Sequence, residues 1–232
     1  MDKFGKLYIV ATPIGNLEDI TLRAIRVLKE VDLILCEDTR VTKKLLDRYE
    51  IQKPLLSYHH HSKLSRVEKI VEHLENGKNL ALVSDAGTPG ISDPGNILIE
   101  HITQNMEQKV DIIPIPGASA ITTLASVAGI NMSKFCFLGF PPHKKGRMKF
   151  LADIDKCGYP VIVFESKYRI LKLLNELGGL GGCERIRLII GRELTKQFEE
   201  IVRGDIESTK KHFQENKKAT LGEFIVVIYK EK

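Results

Sequence analysis

Three times within its first 120 residues, this chain runs a short stretch of strand-forming residues into a loop rich in glycine, proline and small polar residues. Leu7-Tyr8-Ile9-Val10 leads into Ala11-Thr12-Pro13-Ile14-Gly15-Asn16-Leu17, and Asn79–Val83 leads into the longest such loop, Ser84 to Gly95. Val110–Ile113 leads into Pro114-Ile115-Pro116-Gly117-Ala118-Ser119-Ala120. Helical patterns fill the intervals: Thr21–Val31 with Leu22, Ile25 and Leu28 on one stripe, a run from Asp38-Thr39-Arg40 through Tyr49, Leu64–Glu75 closed by Gly77, and Asn96–Met106. With the further strand Asp32–Glu37, this alternation predicts βαβ units, hence a parallel sheet with helices on both faces. In such a sheet the loops at the carboxyl ends of the strands gather along one edge, where open α/β folds bind ligands. Glycine lets main-chain groups in such loops approach a ligand directly. Gly87 and Gly90 leave room there, so Gly87→Val is expected to remove ligand binding with stability nearly intact.

Past Pro116 the pattern changes. A helix over Ala118–Ala128 is followed by the strands Phe135–Leu138, Pro160–Phe164, Arg187–Ile190, Phe198–Arg203 and Glu223–Tyr229, with a helix at Ile206–Phe213. Too few residues separate Arg187–Ile190 from Phe198–Arg203 for a crossover helix, so these two pair antiparallel. The fold class is therefore α/β with two α/β domains: residues 1–115 with a parallel sheet, and residues 116–232 with a mixed sheet. A small-molecule cleft is expected between them.

Several function classes are excluded by what is missing. Ala11 to Gly15 has one glycine where a dinucleotide fingerprint needs three, and no G-x-x-x-x-G-K-[ST] loop occurs. No apolar run is long enough to span a bilayer, and the start lacks a signal-peptide pattern. Cys36, Cys136, Cys157 and Cys183 form no C-x-x-C pair, so neither a zinc site nor a disulfide framework is expected, and the reading is cytoplasmic. Charge is divided unevenly. Residues 1–115 carry 15 Lys/Arg against 17 Asp/Glu, a net −2, and residues 116–232 carry 20 against 13, a net +7, so the chain's +5 comes from its second half. A basic half suits a polyanionic partner, because lysines and arginines on phosphates release counterions. Aromatics at 6% and no tryptophan argue against a broad base-stacking surface.

The Ala-Thr-Pro-Ile-Gly-Asn-Leu-Glu-Asp loop, Cys36-Glu37-Asp38-Thr39-Arg40, Ser84–Gly95, Pro116-Gly117-Ala118-Ser119-Ala120, Phe164-Glu165-Ser166 and Gly191-Arg192-Glu193-Leu194-Thr195-Lys196 together resemble the tetrapyrrole methylase superfamily. Within it they resemble the branch that methylates the 2′-hydroxyl of a cytidine in small-subunit ribosomal RNA, and the likeness runs from Lys6 to about the end of the chain. The resemblance implies S-adenosylmethionine as cofactor, a homodimer, and ribosomal RNA or the assembled small subunit as partner. It places Pro13, Ala86, Gly87, Thr88 and Ile91 around the methionine part and the reactive methyl group, with Ser119, Ala120 and Phe164 near the sugar or adenine. A ribose hydroxyl needs its proton taken as the new bond forms, and Asp85, Glu165, Glu193 and the nearby histidines are the candidates.

Each polar motif also has a plainer use. His59-His60-His61 puts His59 and His61 on one face and His60 on the other, which suits a polar loop near an RNA substrate better than a metal site. Asp38 or Thr39 can cap a helix, while Arg40 is placed to grip a phosphate in bidentate fashion or orient the acceptor. Glu165 and Arg169 at helical spacing read as a surface ion pair. Lys144, Lys145, Arg147 and Lys149 read as a flexible basic stretch, either a solvated loop or, with the stiffening of Pro141-Pro142, an arm that grips RNA. Two other functions use the same residues. A precorrin-type tetrapyrrole methyltransferase needs an apolar trough for its flat substrate, and a non-enzymatic RNA-binding module leaves three rigid loops unexplained. A nucleotide phosphohydrolase lacks carboxylates spaced for paired metal ions.

Overall fold

The computed structural model describes residues 4–59, 64–93, 95–105 and 110–231. The expected positions His60, His61, Pro94 and Met106 lie outside the described residues. The chain divides into two units, Met1–Ser119 and Ala120–Lys232.

In the first unit β1 (Leu7–Val10), β2 (Leu33–Cys36), β3 (Leu55–Ser57), β4 (Leu80–Leu82) and β5 (Ile112–Ile115) form one sheet ordered β3-β2-β4-β1-β5. Every neighbouring pair is parallel. The connections are α1 (Leu22–Glu30), α2 (Thr39–Arg48), α3 (Leu64–Glu75) and α4 (Gly95–Asn105). Alternating side chains of a strand face opposite sides, and both sides here are apolar. Leu7 and Ile9 pack with Ile70 and Leu74 of α3 and Leu98 of α4, whereas Val10 packs with Val27 and Leu28 of α1 and Leu45 of α2. The helices start where short polar side chains take up free N–H groups: Thr21 accepts from Ala24, and Asp38 accepts from Arg40. Past the end of α3, Gly77 adopts φ 75° and donates to the Leu74 carbonyl at 3.0 Å, a left-handed stop that glycine tolerates.

The strand before the third loop lies two residues later than its apolar run suggests, and it includes Pro114. Leu7 N–H donates to Asp111 O and Ala11 N–H to Ile115 O, so the odd-numbered residues of β5 face β1. Pro114 faces the outer edge, where its missing N–H costs no ladder bond. The three-residue β3, which follows Pro54, is too short to leave an apolar pattern.

The second unit holds β6 (Cys136–Phe137), β7 (Val161–Ser166), β8 (Ile186–Arg192), β9 (Glu200–Asp205) and β10 (Glu223–Lys230), ordered β6-β7-β10-β8-β9. β6 is parallel to β7, and the other pairs are antiparallel, including the expected β8–β9 pair with Leu188 opposite Gly204. The sheet is thus mixed, as its sequence implies. One face is covered by α6 (Arg147–Lys156), α7 (Ile170–Gly178) and α8 (Ile206–Glu215), with Leu151, Leu173, Leu174 and Phe213 against Val163, Leu188 and Val226. On the opposite face lies α5 (Ala120–Ser126); a methyl group at Gly191 would sit 3.0–3.1 Å from Leu194, Ile225 and Leu124.

Candidate active site

β4, β1 and β5 are consecutive neighbours in a parallel sheet, so the three Gly/Pro loops leave it side by side. β1 and β4 send their connections in opposite directions, a topological switch point of the kind where such sheets bind ligands. The loops are joined through their backbones. Thr12 N–H donates to Gly87 O at 2.9 Å, and Gly87 N–H donates back to Thr12 O at 3.0 Å. The buried Thr12 hydroxyl donates to Ser84 O at 3.0 Å, and Thr88 Oγ1 donates to Ala118 O at 3.2 Å. Gly117 lies so close to Ala11 that a methyl group there would come within 2.9 Å of the Ala11 Cβ. The Asp93 carboxylate accepts from Gly90 N–H and Gly95 N–H at 2.8 and 2.9 Å, which fixes the turn into α4.

Gly87 is the hinge of this arrangement, and here the expectation of a stability-neutral substitution needs correction. Its φ is +81°, and a Cβ would point at Ile14 Cγ2 (3.3 Å) and Ala118 O (3.6 Å) rather than into open space. A side chain there strains the backbone and pushes the loops apart. Among the other residues expected near the cofactor, Pro13 is buried, Thr88 and Ser119 are half-buried, and Ala86 and Ile91 are exposed on the same strand-end edge. Ala120 opens α5 and Phe164 lies in β7, so these two belong to the second unit.

The carboxyl end of β2, next to β4, adds an acidic margin. Asp85 accepts from Asp38 N–H at 3.0 Å, and its own N–H points to Glu37 Oε1 at 3.4 Å. Burial pushes the Glu37 carboxyl above the ordinary range; the Asp85 N–H partly opposes this, and the charges of Asp85 and Asp93 add to the rise. Glu37 is not among the bases that the sequence suggests, although its place at a strand end is legible there. Asp38 caps α2 and also clasps Arg40 through Nε at 3.0 Å and Nη2 at 2.6 Å. Hydrogen bonds from Arg40 hold the Asp38 carboxyl down at about 2. Helix cap and exposed guanidinium therefore coexist at one position. His59 is exposed just past β3, on this same edge.

In the second unit the structure rearranges three expectations. The Glu165–Arg169 pair is not on the surface: Glu165 is the penultimate residue of β7, is 1% exposed, and meets Arg169 Nε at 2.9 Å. The Arg147 Nη2 lies 3.9 Å from Glu165 Oε2, and Ser166 N–H donates to Oε1 at 2.7 Å. Arg147 is not part of a flexible stretch either. It opens α6, is 4% exposed, pairs with Glu176 at 2.6 Å and donates to Pro142 O at 2.9 Å. Removing one partner from such a buried pair costs about 3–5 kcal/mol, so this arginine holds structure and is closed to phosphate, whereas Lys144 and Lys145 are exposed. Glu193 sits at φ 49° against Gly222. Burial alone would raise its pKa, but hydrogen bonds from Lys196 and the Glu223 N–H outweigh that and lower it. Glu165 and Glu193 are thus committed to internal partners, whereas Glu37 is half-buried and Asp85 exposed at the strand-end edge.

Three comparisons bear on this site. Residues 6–210 match the family described as tetrapyrrole (corrin/porphyrin) methylases. The chain is 44% identical over 224 residues to the ribosomal RNA small subunit methyltransferase I of Thermotoga maritima, an alignment covering 97% of this chain and 98% of that one. Among solved structures it resembles a diphthine synthase (TM-score 0.73, 12% identity, 97% and 90% covered). It also resembles the uroporphyrin-III C-methyltransferase of Thermus thermophilus complexed with S-adenosyl homocysteine (TM-score 0.65, 18% identity, 96% and 97% covered).

Proposed function

The chain belongs to the tetrapyrrole methylase family, and from this premise we propose that it methylates the 2′-hydroxyl of a cytidine in small-subunit ribosomal RNA, with S-adenosylmethionine as donor. The observation that carries this reading is the 44% identity, along nearly the full length of both chains, to a ribosomal RNA methyltransferase, against 18% to a tetrapyrrole enzyme. The residues present fit the cofactor. Gly87 and Gly117 bring three loop backbones together, and exposed apolar Ile91 belongs to the same loop as Gly87, so main-chain groups and apolar contact are both available to an amino-acid tail, a ribose and an adenine. We assign Pro13, Ala86, Gly87, Thr88, Ile91 and Ser119, all of the first unit, to that role.

When bound, S-adenosylmethionine supplies a methyl group already activated by its sulfonium. The protein has to align the acceptor and take its proton. We assign the proton to the Glu37–Asp85 margin, because a carboxyl held above its ordinary range accepts a proton near neutrality better than an ordinary one. Arg40 and His59, on the same edge of the sheet, would orient the acceptor nucleotide, and Lys144 and Lys145 would take phosphates.

Mass spectrometry of ribosomal RNA from cells with and without the protein tests the reading. One 2′-O-methylcytidine in the small-subunit RNA should vanish with the protein, and its persistence would end the proposal. Among the described residues no helix is long and apolar enough to cross a membrane, and a cytoplasmic location goes with the RNA substrate. A homodimer completes the reading. Light scattering should give twice the chain mass of 26.2 kDa, and a fully active monomer would remove that part.

A further inference from the structure

The buried glutamate near the end of β7 has no role in the reading above, yet it organises two stretches of surface. Arg169 is the link. Its Nε meets Glu165 Oε1 at 2.9 Å and Ser166 Oγ at 3.3 Å, and its Nη1 donates to the Pro141 carbonyl at 2.9 Å. The neighbouring carbonyl, Pro142 O, is held by Arg147, itself anchored on Glu176. One set of buried charges therefore pins both the segment 140–145 and the turn 166–168.

Each pinned segment presents the same pairing of ring and cation. Phe140 is 51% exposed, with its ring seated on Phe164 at 5.3 Å between centroids, and it is followed by exposed Lys144 and Lys145. Tyr168 is 84% exposed, with the Lys167 ammonium 5.0 Å from its ring centre. Rings interleaved with lysines are what single-stranded nucleic acid binds: bases stack on the rings and phosphates meet the cations. Rigid placement matters too, because a segment ordered in advance loses less entropy on binding.

We propose that segments 140–145 and 166–168 form a two-ring platform for single-stranded RNA, with Phe140 and Tyr168 as base-stacking residues and Arg169 on Glu165 as the positioning residue that sets them. This rests on the reading that the substrate is RNA, and it adds to that reading where the strand is held and by what chemistry. Two rings are far fewer than a broad stacking surface requires, which agrees with the low aromatic content.

The test is titration of a labelled single-stranded oligoribonucleotide against the full chain at several salt concentrations. Phe140→Ala and Tyr168→Ala should each weaken binding about 5- to 150-fold, the range for one missing base stack, with the salt slope unchanged. Lys144→Gln with Lys145→Gln should instead flatten the slope, by roughly 0.7 for each phosphate left without its lysine. Arg169→Lys keeps the charge but cannot hold the Pro141 carbonyl and Glu165 at once, so it should weaken RNA binding while S-adenosylmethionine still binds. Because Phe140 and Tyr168 are exposed, their variants should fold even where the arginine variant does not, and thermal unfolding checks this. Wild-type binding with unchanged affinity in both ring variants overturns the platform alone. A wild-type chain that binds no oligoribonucleotide overturns the platform together with the reading beneath it.

Discussion

Glu37→Gln is expected to lower kcat for RNA methylation by about 10²–10⁴-fold, the usual contribution of a positioned proton acceptor, without changing the affinity for S-adenosylmethionine. The pH dependence makes the assignment specific. A base works only when deprotonated, so activity rises with pH through the pKa of the group, and for Glu37 that rise lies above the ordinary carboxylate range. Burial and the charges of Asp85 and Asp93 place it there, against the opposing hydrogen bond from the Asp85 N–H. Asp85→Asn removes one of the repelling charges and leaves the backbone N–H in place. The Glu37 pKa then falls, and the acid limb of the profile should move to lower pH with the plateau retained. Loss of the plateau in Asp85→Asn, with Glu37→Gln merely shifting the limb, would transfer the role to Asp85. An unchanged plateau in both variants would take the proton acceptor away from this margin altogether.

The second large effect is expected at Gly87. Gly87→Val should abolish S-adenosylmethionine binding in calorimetry and also destabilise the chain. The left-handed backbone alone costs about 1–2 kcal/mol for a residue with a Cβ. For a chain of this size that corresponds to a Tm lower by roughly 2–8 °C. Ala86→Leu supplies the contrast. Ala86 is exposed and is absent from the residues with positive φ, so bulk added there should weaken cofactor binding and leave Tm unchanged. Full cofactor affinity in both variants would remove the β4 loop from the site.

The difference between these two neighbours marks where sequence reasoning stops. Short apolar runs and Gly/Pro punctuation make β1, β4 and their loops legible, because backbone preference and burial act locally. That Gly87 exchanges hydrogen bonds with Thr12, 75 residues earlier, is a property of the sheet order and leaves no local trace. The same holds for Glu37, whose proton affinity is raised by burial and by the charges of Asp85 and Asp93, which another strand brings in. Arg147, Leu151 and Ile154 do carry a helical stripe at i, i+4 and i+7, but the surrounding lysines make α6 look like a solvated loop. Buried charges mislead most of all, since arginine and glutamate are expected outside unless a partner is already known.

The parallel sheet has one more consequence, which concerns how copies of this chain can meet. Its outer strands are β3, three residues long, and β5, which turns a proline outward. In the second sheet β6 is only two residues long, and β9 carries Glu200, Arg203 and Asp205. Short strands, proline and charge are the devices by which proteins prevent one sheet from growing onto another. Self-association by continuous strand addition is blocked at three of the four borders and left to charged side chains at the fourth. The homodimer proposed above is therefore expected to be sealed by helices and loops, with a finite, self-limiting contact in place of an open-ended ribbon.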